Sequence, residues 1–399
     1  MPTSTESDQP AASQAPAAPN ARLEALLTRA WLRRGPLACA LWPLSLVFGA
    51  LGQLRRLLYR RRVLSSAHLG VPVIVVGNIF IGGTGKTPLT IWLVAALQQA
   101  GFHPGVISRG HGSVDKDNAD SGSKEKGRSD QGSSDKRSSD QKPRLVTPGS
   151  SAQQVGDEPL LIAQRAGCPV MVGRDRVAAG RALLECHPEL DIIISDDGLQ
   201  HYALQRDIEI VLFDGRANGN GWLLPAGPLR EPISRRRDFT VLNVPPSSPD
   251  SPNSSDSAAL LSRLGPTGTA VIEMQLAGEF AERLSCRSER ISLAQLAQSG
   301  QSIVAAAGIG NPGRFFSLLK NQGLLFRQLA LPDHHAFLDH PFAGIVADII
   351  LITEKDAVKC MQIEDLNDDP RLWVVPVSAR IDAALAQHIV EKCRGCSIA

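Results

Sequence analysis

The stretch VPVIVVGNIFIGGTGKT, residues 71–87, decides the fold of this chain. Val71 to Gly77 is a continuous apolar run rich in β-branched residues, which is typical of a strand buried in a parallel sheet. The segment GGTGKT (82–87) follows directly, and the next residues, from Pro88 to Ala100, are predicted to form a helix that Gly101 ends. A strand, a glycine-rich loop and a helix in this order are typical of a P-loop.

The glycine-rich loop is suited to binding a triphosphate. Glycines let backbone N–H groups approach phosphate oxygens, and the N-terminus of the following helix favours negative charge. The Lys86 ammonium is expected to reach the β- and γ-phosphates, and the Thr87 hydroxyl to ligate Mg²⁺. Phe80 stands where the usual pattern has its first glycine, so a glycine-rich turn without a ligand is the alternative. Nucleotide contacts are predicted for Gly82, Gly83, Thr84, Gly85, Lys86 and Thr87.

Strands and helices continue to alternate beyond this loop. The predicted helices lie near 157–167, 175–186 and 312–322, and the predicted strands lie at 169–172, 191–195, 208–213, 302–307 and 349–353. Such alternation predicts an α/β fold in which mostly parallel sheets are covered by helices on both faces. A chain of 399 residues with 43% hydrophobic residues has room for about two domains.

Changes in composition indicate where the domains begin and end. Residues 1–20 are rich in Ala, Pro, Ser and Gln, and are expected to form a disordered tail. A P-loop kinase lobe is predicted for 65–240, interrupted by a low-complexity insertion at 113–142. The Pro- and Ser-rich stretch at 245–257 lies in a linker predicted for 241–262, and 263–399 is expected to form a second α/β lobe.

A membrane-associated helical segment is predicted for residues 21–64. Gly35 to Leu54 form a run of twenty residues without a charge, with arginines on both sides. The length permits a spanning helix, but Pro36 and Pro43 weaken that interpretation, and because both flanks are basic the charge indicates no orientation. An apolar segment with basic flanks can instead lie in the membrane interface, with its arginines on anionic head groups. Interfacial placement is favoured, and a spanning helix and an ordinary buried helix are the alternatives.

Charge and cysteine content exclude several other classes of protein. A net charge of +2 and only 5% aromatic residues argue against a nucleic-acid surface. The seven cysteines are an odd and scattered set, which fits a reducing compartment and no disulfide framework. Cys393 and Cys396 form a C-x-x-C, but a second such pair for a zinc site is missing from the sequence.

Two pairs of acidic residues are candidates for the chemistry. Ser195-Asp196-Asp197-Gly198 follows a predicted strand, where a carboxylate beside a P-loop can bind the Mg²⁺ shell; a simple turn is the alternative. Gly156-Asp157-Glu158-Pro159 opens a predicted helix, where the two acids can equally serve as capping residues that complement the helix dipole.

Two loops carry further candidates. PAGPLREP (225–232) is stiffened by prolines, and Arg230 can bind an anion there unless the loop is only a basic rim. In Asp333-His334-His335 the adjacent histidines face different ways, which disfavours a metal site formed by both. One of them can orient or assist a catalytic carboxylate, and an ordinary surface histidine is the alternative.

Together these residues resemble the tetraacyldisaccharide 4′-kinase family. The resemblance runs from about residue 22 to about residue 390, outside the two low-complexity stretches. It rests on nine motifs in the family's order: VGNIFIGGTGKTP (76–88), SRGHG (108–112), VGDEP (155–159), VGRDR (172–176), SDDGLQH (195–201), PAGPLREP (225–232), GIGNP (308–312), DHHAF (333–337) and TEKDA (353–357).

This resemblance implies two α/β/α lobes joined by a short hinge, with the P-loop in the first lobe. It implies an enzyme on the cytoplasmic face of the bacterial inner membrane. Its reaction would transfer the γ-phosphate of ATP to the 4′-hydroxyl of a tetraacyldisaccharide 1-phosphate, forming lipid IVA in lipid A biosynthesis. Asp157 is implied as the base and His334 as its partner; Thr87, Glu158 and Asp197 are implied for Mg²⁺, and Arg230, Asp196 and His201 for the substrate.

The alternative function is a membrane-associated P-loop ATPase switch that acts on a protein partner. GGTGKT alone fits such a switch, but PAGPLREP and DHHAF would then have no role. A kinase-like binding protein without activity is disfavoured because Lys86, Thr87, Asp157 and His334 are all present. The kinase would need ATP, Mg²⁺, the disaccharide and a membrane surface, and the sequence indicates no required protein partner.

Overall fold

A computed structural model describes residues 31–110, 142–244, 260–262, 264, 269 and 271–395. The predicted tail at 1–20, nearly all of the insertion predicted at 113–142 and the Pro- and Ser-rich stretch at 245–257 lie outside the described residues.

Strands and helices alternate along the described chain, as the sequence predicts. The strands are β1 (Val73–Gly77), β2 (Pro104–Ser108), β3 (Arg144–Leu145), β4 (Val170–Val172), β5 (Ile192–Asp196), β6 (Ile208–Asp214), β7 (Phe239–Val244), β8 (Val271–Ala277), β9 (Phe280–Arg283), β10 (Arg290–Ser292), β11 (Ile303–Ala307), β12 (Arg327–Ala330), β13 (Ile349–Thr353), β14 (Leu372–Val375) and β15 (Ser378–Ile381). The helices are α1 (Pro36–Arg60), α2 (Lys86–Gln99), α3 (Ala152–Val155), α4 (Asp157–Ala166), α5 (Arg176–Cys186), α6 (Leu293–Gln298), α7 (Pro312–Asn321), α8 (Glu354–Cys360), α9 (Glu364–Asn367) and α10 (Ala383–Gly395).

The first lobe is built on a nine-stranded sheet in the order β15-β8-β7-β6-β1-β5-β2-β4-β3. The seven inner strands are mutually parallel, and only the edge strands β15 and β3 run antiparallel. β1 and β5 are buried along their whole length, which explains their unbroken apolar sequences. Apolar side chains pack on both faces of this sheet. The predicted α/β fold with mostly parallel sheets is confirmed.

The second lobe is built on a six-stranded sheet in the order β10-β9-β14-β13-β11-β12. β14, β13, β11 and β12 are mutually parallel, β9 runs antiparallel to β14, and β10 at the edge runs antiparallel to β9. Its core has two apolar clusters of its own, one containing Phe315 and Phe316 and the other containing Phe337 and Phe342.

The division between the lobes differs from the one expected at 241–262. β7 runs to Val244, beyond the expected end of the first lobe, and β8 pairs with it in the same sheet. β15 then covers the free edge of β8, and α10 packs against α2. The chain therefore crosses to the second lobe after Ala277 and returns before Ser378. Residues 263–399 therefore do not form a single lobe. The prediction failed because sequence periodicity identifies strands but does not assign them to a sheet.

Helix α1 lies against the first lobe along one narrow face. Ala38 and Ser45 are buried, and the Ser45 hydroxyl donates a hydrogen bond to the Leu223 carbonyl at 2.8 Å. The opposite face exposes Leu44, Val47 and Leu51, among other large apolar side chains. Among the described helices, α1 alone is long and apolar enough to cross a membrane by length and composition. Because its apolar face is exposed, the alternative of an ordinary buried helix is excluded.

Candidate active site

The strand order places the P-loop beside one pair of acids. β1 lies between β6 and β5, and Val76 is the register partner of Asp196. The P-loop follows β1 and Asp197 follows β5, so both leave the sheet at its carboxyl edge. Open parallel sheets bind ligands at this edge.

The P-loop is held in shape by side-chain amides that bond to its carbonyl groups. Asn78 Nδ2 donates to the carbonyls of Phe80 and Gly82 at 2.6 and 3.1 Å. Asn243 Nδ2, from the end of β7, donates to the Thr84 carbonyl at 2.9 Å. Gly85 has a φ of 100°, and a Cβ there would lie only 2.7 Å from Asn243 Nδ2. Glycine is therefore required at this position, just before α2 begins at Lys86.

Lys86 and Asp197 face each other at the mouth of the loop. Lys86 Nζ lies 3.2 Å from Asn78 Oδ1 and 3.6 Å from Asp197 Oδ1, and Arg230 lies 3.5 Å from the other Asp197 oxygen. Burial by itself would raise the pKa of Asp197, but the charges of Lys86, Arg230 and Arg176 outweigh it and lower the pKa. Asp197 is therefore a carboxylate at neutral pH.

The arrangement of oxygen atoms fits a magnesium ion that shares its ligands with a phosphate. Asp197 Oδ1 is buried and has no hydrogen-bond partner among the described residues, so it is available as a hard ligand. In the described part of the chain no three His, Cys, Asp or Glu side chains are grouped as a metal site. Mg²⁺ usually binds through only one or two carboxylates and completes its shell with water and substrate phosphates.

The predicted catalytic pair meets across the two lobes. Asp157 is the first residue of α4 and is 5% exposed, and His334 lies in the loop after β12. His334 Nδ1 lies 3.1 Å from Asp157 Oδ2. Burial favours a higher Asp157 pKa, but the His334 hydrogen bond and the Lys355 and Lys359 charges outweigh it and lower the pKa to about 2. The same hydrogen bond raises the pKa of His334.

Two lysines on α8 bring positive charge from the second lobe to these acids. Lys355 Nζ lies 3.0 Å from Glu158 Oε1 and 3.8 Å from Asp157 Oδ2, and Lys359 Nζ also lies 3.8 Å from Asp157 Oδ2. Burial alone would lower the pKa of Lys355, but the two carboxylates outweigh burial and raise it. Lys355 therefore stays charged.

A cavity of about 500 Å³ joins these groups between the lobes. Its polar wall contains residues of the P-loop together with Glu158, Asp197, Arg230, Asp333, His334 and Lys355. Its apolar wall contains Ile91, Leu161, Leu276, Ile309, Phe315, Leu318 and Val377. The cavity can therefore hold a charged group beside the P-loop and a flat or apolar group beyond it.

Two residues expected to bind substrate do not line this cavity. Asp196 is 1% exposed and lies beneath Asp197, where it accepts hydrogen bonds from Ser108 and Thr90. His201 Nε2 accepts a hydrogen bond from the Arg176 backbone at 3.3 Å. Both follow the strand end in the sequence, but β5 turns Asp196 into the protein and His201 lies beyond the turn at 197–200.

Several residues at the site were missed by the sequence reasoning. Arg314 on α7 reaches across the lobes to Asp214 at 2.9 Å, and Arg216 also binds Asp214 and donates to the Gly83 carbonyl at 3.1 Å. No sequence pattern indicates Asn243 as a site residue, because it borders a low-complexity stretch. Lys355 lies in the motif TEKDA, which could have drawn attention to it.

The chain matches the family model described as "Tetraacyldisaccharide-1-P 4'-kinase" over residues 37–133 and 136–394. It is 57% identical to "Tetraacyldisaccharide 4'-kinase" of Janthinobacterium sp. (strain Marseille), covering 94% of this chain and 98% of that protein. It is 54% identical to the protein of the same name from Herminiimonas arsenicoxydans, covering 94% of this chain and 98% of the relative.

A solved structure has the same fold. It is the "apo" form of LpxK from Aquifex aeolicus in complex with ATP, 26% identical, with a TM-score of 0.67 and coverage of 89% of this chain and 99% of that one. The family match covers nearly all of the chain, and seven of the nine motifs that carried the resemblance contribute residues to one cavity. The chain therefore belongs to the tetraacyldisaccharide 4′-kinase family.

Proposed function

We propose that this enzyme transfers the γ-phosphate of ATP to the 4′-hydroxyl of a tetraacyldisaccharide 1-phosphate and forms lipid IVA, at the cytoplasmic face of the bacterial inner membrane. The observation that carries the proposal is the Asp157–His334 pair, whose two side chains lie 3.1 Å apart and whose histidine lines the same cavity as the P-loop. A base beside a triphosphate cradle is the arrangement that phosphoryl transfer to a hydroxyl requires.

The P-loop binds the triphosphate of ATP. Lys86 would contact the β- and γ-phosphates, and the backbone N–H groups of Gly82 to Gly85 would surround them. Thr87, Glu158 and Asp197 would hold Mg²⁺, which when bound neutralises charge on the phosphate oxygens. Arg230, paired with Asp197 at 3.5 Å, contacts a phosphate at the same mouth.

Asp157 takes the proton from the acceptor. The 4′-hydroxyl oxygen forms a bond to the γ-phosphorus, the bond from that phosphorus to the β,γ-bridging oxygen breaks, and ADP leaves. The hydroxyl proton passes to Asp157, while His334 orients and supports the carboxylate. The low pKa of Asp157 keeps it ionised at neutral pH.

Helix α1 brings the enzyme to its lipid substrate. Its exposed apolar face and the arginines that follow it suit the boundary between acyl chains and anionic head groups. α1 lies on the loop that carries Arg230, through Ser45 and Leu223. Asp196 and His201 lie outside the cavity and are given no contact with the substrate.

The test is a transfer assay with radiolabelled ATP, Mg²⁺ and a tetraacyldisaccharide 1-phosphate in detergent. The expected product is the 1,4′-bisphosphorylated disaccharide. It should form with the unsubstituted enzyme, and its amount should fall strongly with Lys86→Ala. Lys320→Ala, an exposed lysine at the end of α7, is the matched control and should retain activity. ATP hydrolysis that proceeds equally without the disaccharide would instead support the P-loop switch.

A further inference from the structure

His335, the second histidine of DHHAF, lies behind the site and does not line the cavity. Its Nδ1 accepts a hydrogen bond from the Phe337 backbone N–H at 3.1 Å. Its Nε2 lies 3.3 Å from Asp339 Oδ2, and its ring packs edge-on against Phe337 with centroids 4.9 Å apart. These contacts fix the ring on both nitrogens and on one face.

The loop that His335 holds has an unusual backbone. His334, Phe337 and His340 have φ values of 58°, 62° and 47°, all in the left-handed region. Residues other than glycine adopt this region at an energetic cost, and such residues persist only where surrounding contacts impose the conformation. Phe337 and Phe342 are each 1% exposed, so they anchor the far side of the loop in the second-lobe core.

We propose that His335 is the positioning residue that presents His334 to Asp157, acting as the neutral tautomer with its proton on Nε2. That tautomer accepts from the Phe337 N–H through Nδ1, and its protonated Nε2 lies 3.3 Å from the Asp339 carboxylate. The side chain thereby closes a turn from residue i to the backbone N–H of residue i+2, as asparagine side chains do. The inference rests on the proposed transferase function, because only that function gives His334 a task.

The geometry separates this role from general stability. The neighbouring backbone has other contacts: the His334 N–H donates to the Gly308 carbonyl at 3.2 Å, and the His335 N–H donates to the Pro332 carbonyl at 3.2 Å. The loop therefore stays attached to the second lobe when the His335 ring is removed. What is lost is the left-handed turn that points the His334 ring across to the first lobe.

The test compares His335→Ala and His335→Asn, each with His334 intact and with His334→Ala. Asparagine carries an oxygen close to the position of Nδ1 and can accept from Phe337, whereas alanine cannot. His335→Ala is expected to lower kcat by up to about 10²-fold, the scale of a displacement of about 1 Å, with the KM for ATP unchanged. His335→Asn is expected to recover most of that loss. In the His334→Ala background, neither substitution should lower kcat further.

Three results would overturn the inference: wild-type kcat in His335→Ala, no recovery in His335→Asn, or an equal further loss in the His334→Ala background. If His335→Ala lowers the melting temperature as well as kcat, the comparison rests on His335→Asn, which keeps the turn. His388→Ala, an exposed histidine on α10, controls for substitution of histidine as such. The unsubstituted enzyme in the same assay tests the transferase function separately, since it must form product for any comparison to be made.

Discussion

Asp157 and Asp196 are both buried carboxylates of the first lobe, yet their surroundings shift their pKa values in opposite directions. Burial opposes ionisation in each. At Asp157 the His334 hydrogen bond and the two lysines outweigh burial, and the pKa falls to about 2. At Asp196 burial dominates, and the Glu158 charge adds to it, so the pKa rises to about 7 despite the opposing Lys86 charge. The surroundings of Asp157 therefore keep its carboxylate ionised. Those of Asp196 favour the neutral carboxyl group, which ionises more readily when a positive charge lies nearby.

The Asp157–His334 pair is expected to behave as a unit in kinetics. Asp157→Ala should lower kcat by roughly 10²–10⁴-fold, as for removal of a general base, with little change in ATP affinity. His334→Ala should cost less, because it supports the carboxylate. The double variant should be little slower than Asp157→Ala, since residues that act together are strongly non-additive. Measuring kcat at saturating ATP and acceptor checks this, and independent multiplication of the two losses would contradict the pairing.

Asp196 is expected to make the metal-free protein less stable as pH rises. Its folded pKa of about 7 lies above the ordinary value of 3.8. The folded state therefore binds the proton more tightly than the unfolded state does. Its contribution to the free energy of unfolding is fully present below about pH 4 and is lost as pH rises towards about 7. Asparagine cannot ionise, so Asp196→Asn should gain stability relative to wild type over this window.

Denaturant unfolding in EDTA, at about pH 5 and about pH 8, measures this difference for wild type and Asp196→Asn. The free energy of unfolding of Asp196→Asn should exceed that of wild type by more at the higher pH than at the lower pH. An identical difference at both pH values would show that Asp196 has no raised pKa in the folded protein. Asp191→Asn, an exposed carboxylate before β5, serves as the control.

At the level of single elements, α1 has one face on the enzyme and another that faces away from it. Ser45 bonds to the loop of the first lobe, whereas the exposed fractions of Leu44, Val47 and Leu51 are 62%, 57% and 61%. These three positions recur at helical spacing, so they form one apolar stripe. The stripe, and not the whole helix, is the surface available to a membrane.

A triple variant, Leu44→Gln, Val47→Gln and Leu51→Gln, should lose binding to vesicles that contain anionic lipid. Glutamine preserves helix propensity, so α1 should remain folded on the lobe. Activity on detergent-dispersed acceptor should stay near wild type, whereas activity on bilayer-embedded acceptor should fall. Vesicle co-sedimentation and the two assays check this, with Gln53→Ala as the control on the same helix. Unchanged co-sedimentation would mean that a different surface binds the membrane.

Elements differ in how far they could be predicted from sequence. β1, the P-loop and α2 were predicted correctly because a continuous apolar run, glycines and a helix start lie within one local segment. The membership of β15 in the first sheet could not be predicted because β15 pairs with β8 across the whole second lobe, and that of β8 was missed because an apparent linker separates it from β7. The Asp157–His334 contact followed from family resemblance alone, since no local pattern relates residues 177 positions apart.

At the scale of the whole molecule, ion pairs as well as the polypeptide connections join the two lobes. Arg314–Asp214, Lys355–Glu158 and His334–Asp157 all link residues of one lobe to residues of the other. Glu354 of the second lobe also binds the first lobe, through Arg165. It pairs with Arg165 of α4 and with Arg287, and it accepts from the Val377 N–H at 3.1 Å, where the chain returns to the first lobe.

Glu354→Ala is therefore expected to loosen the crossing segment at 376–377. The Arg165 and Arg287 side chains are 28% and 34% exposed, so water can solvate the charges left behind, and the loss of stability should be smaller than the about 3–5 kcal/mol of a fully buried pair. The melting temperature should fall, and amide hydrogen exchange should quicken at Val377. Glu354→Gln keeps an acceptor for Val377 but not the charge, so it should protect that amide while still losing stability. Exchange at Val377 that is the same in wild type and Glu354→Ala would contradict this role.

The course of the chain between the lobes also has a consequence for how the protein is made. The P-loop has left the ribosome long before β8, β15 and α10 are synthesised, yet these late segments complete its sheet and cover α2. During translation the growing first lobe therefore presents an unpaired strand edge beside its nucleotide loop while the second lobe is being made. Since domains generally fold as units, the second lobe can finish folding before the first. The cavity wall that includes Leu276 and Val377 is therefore added long after the P-loop has emerged.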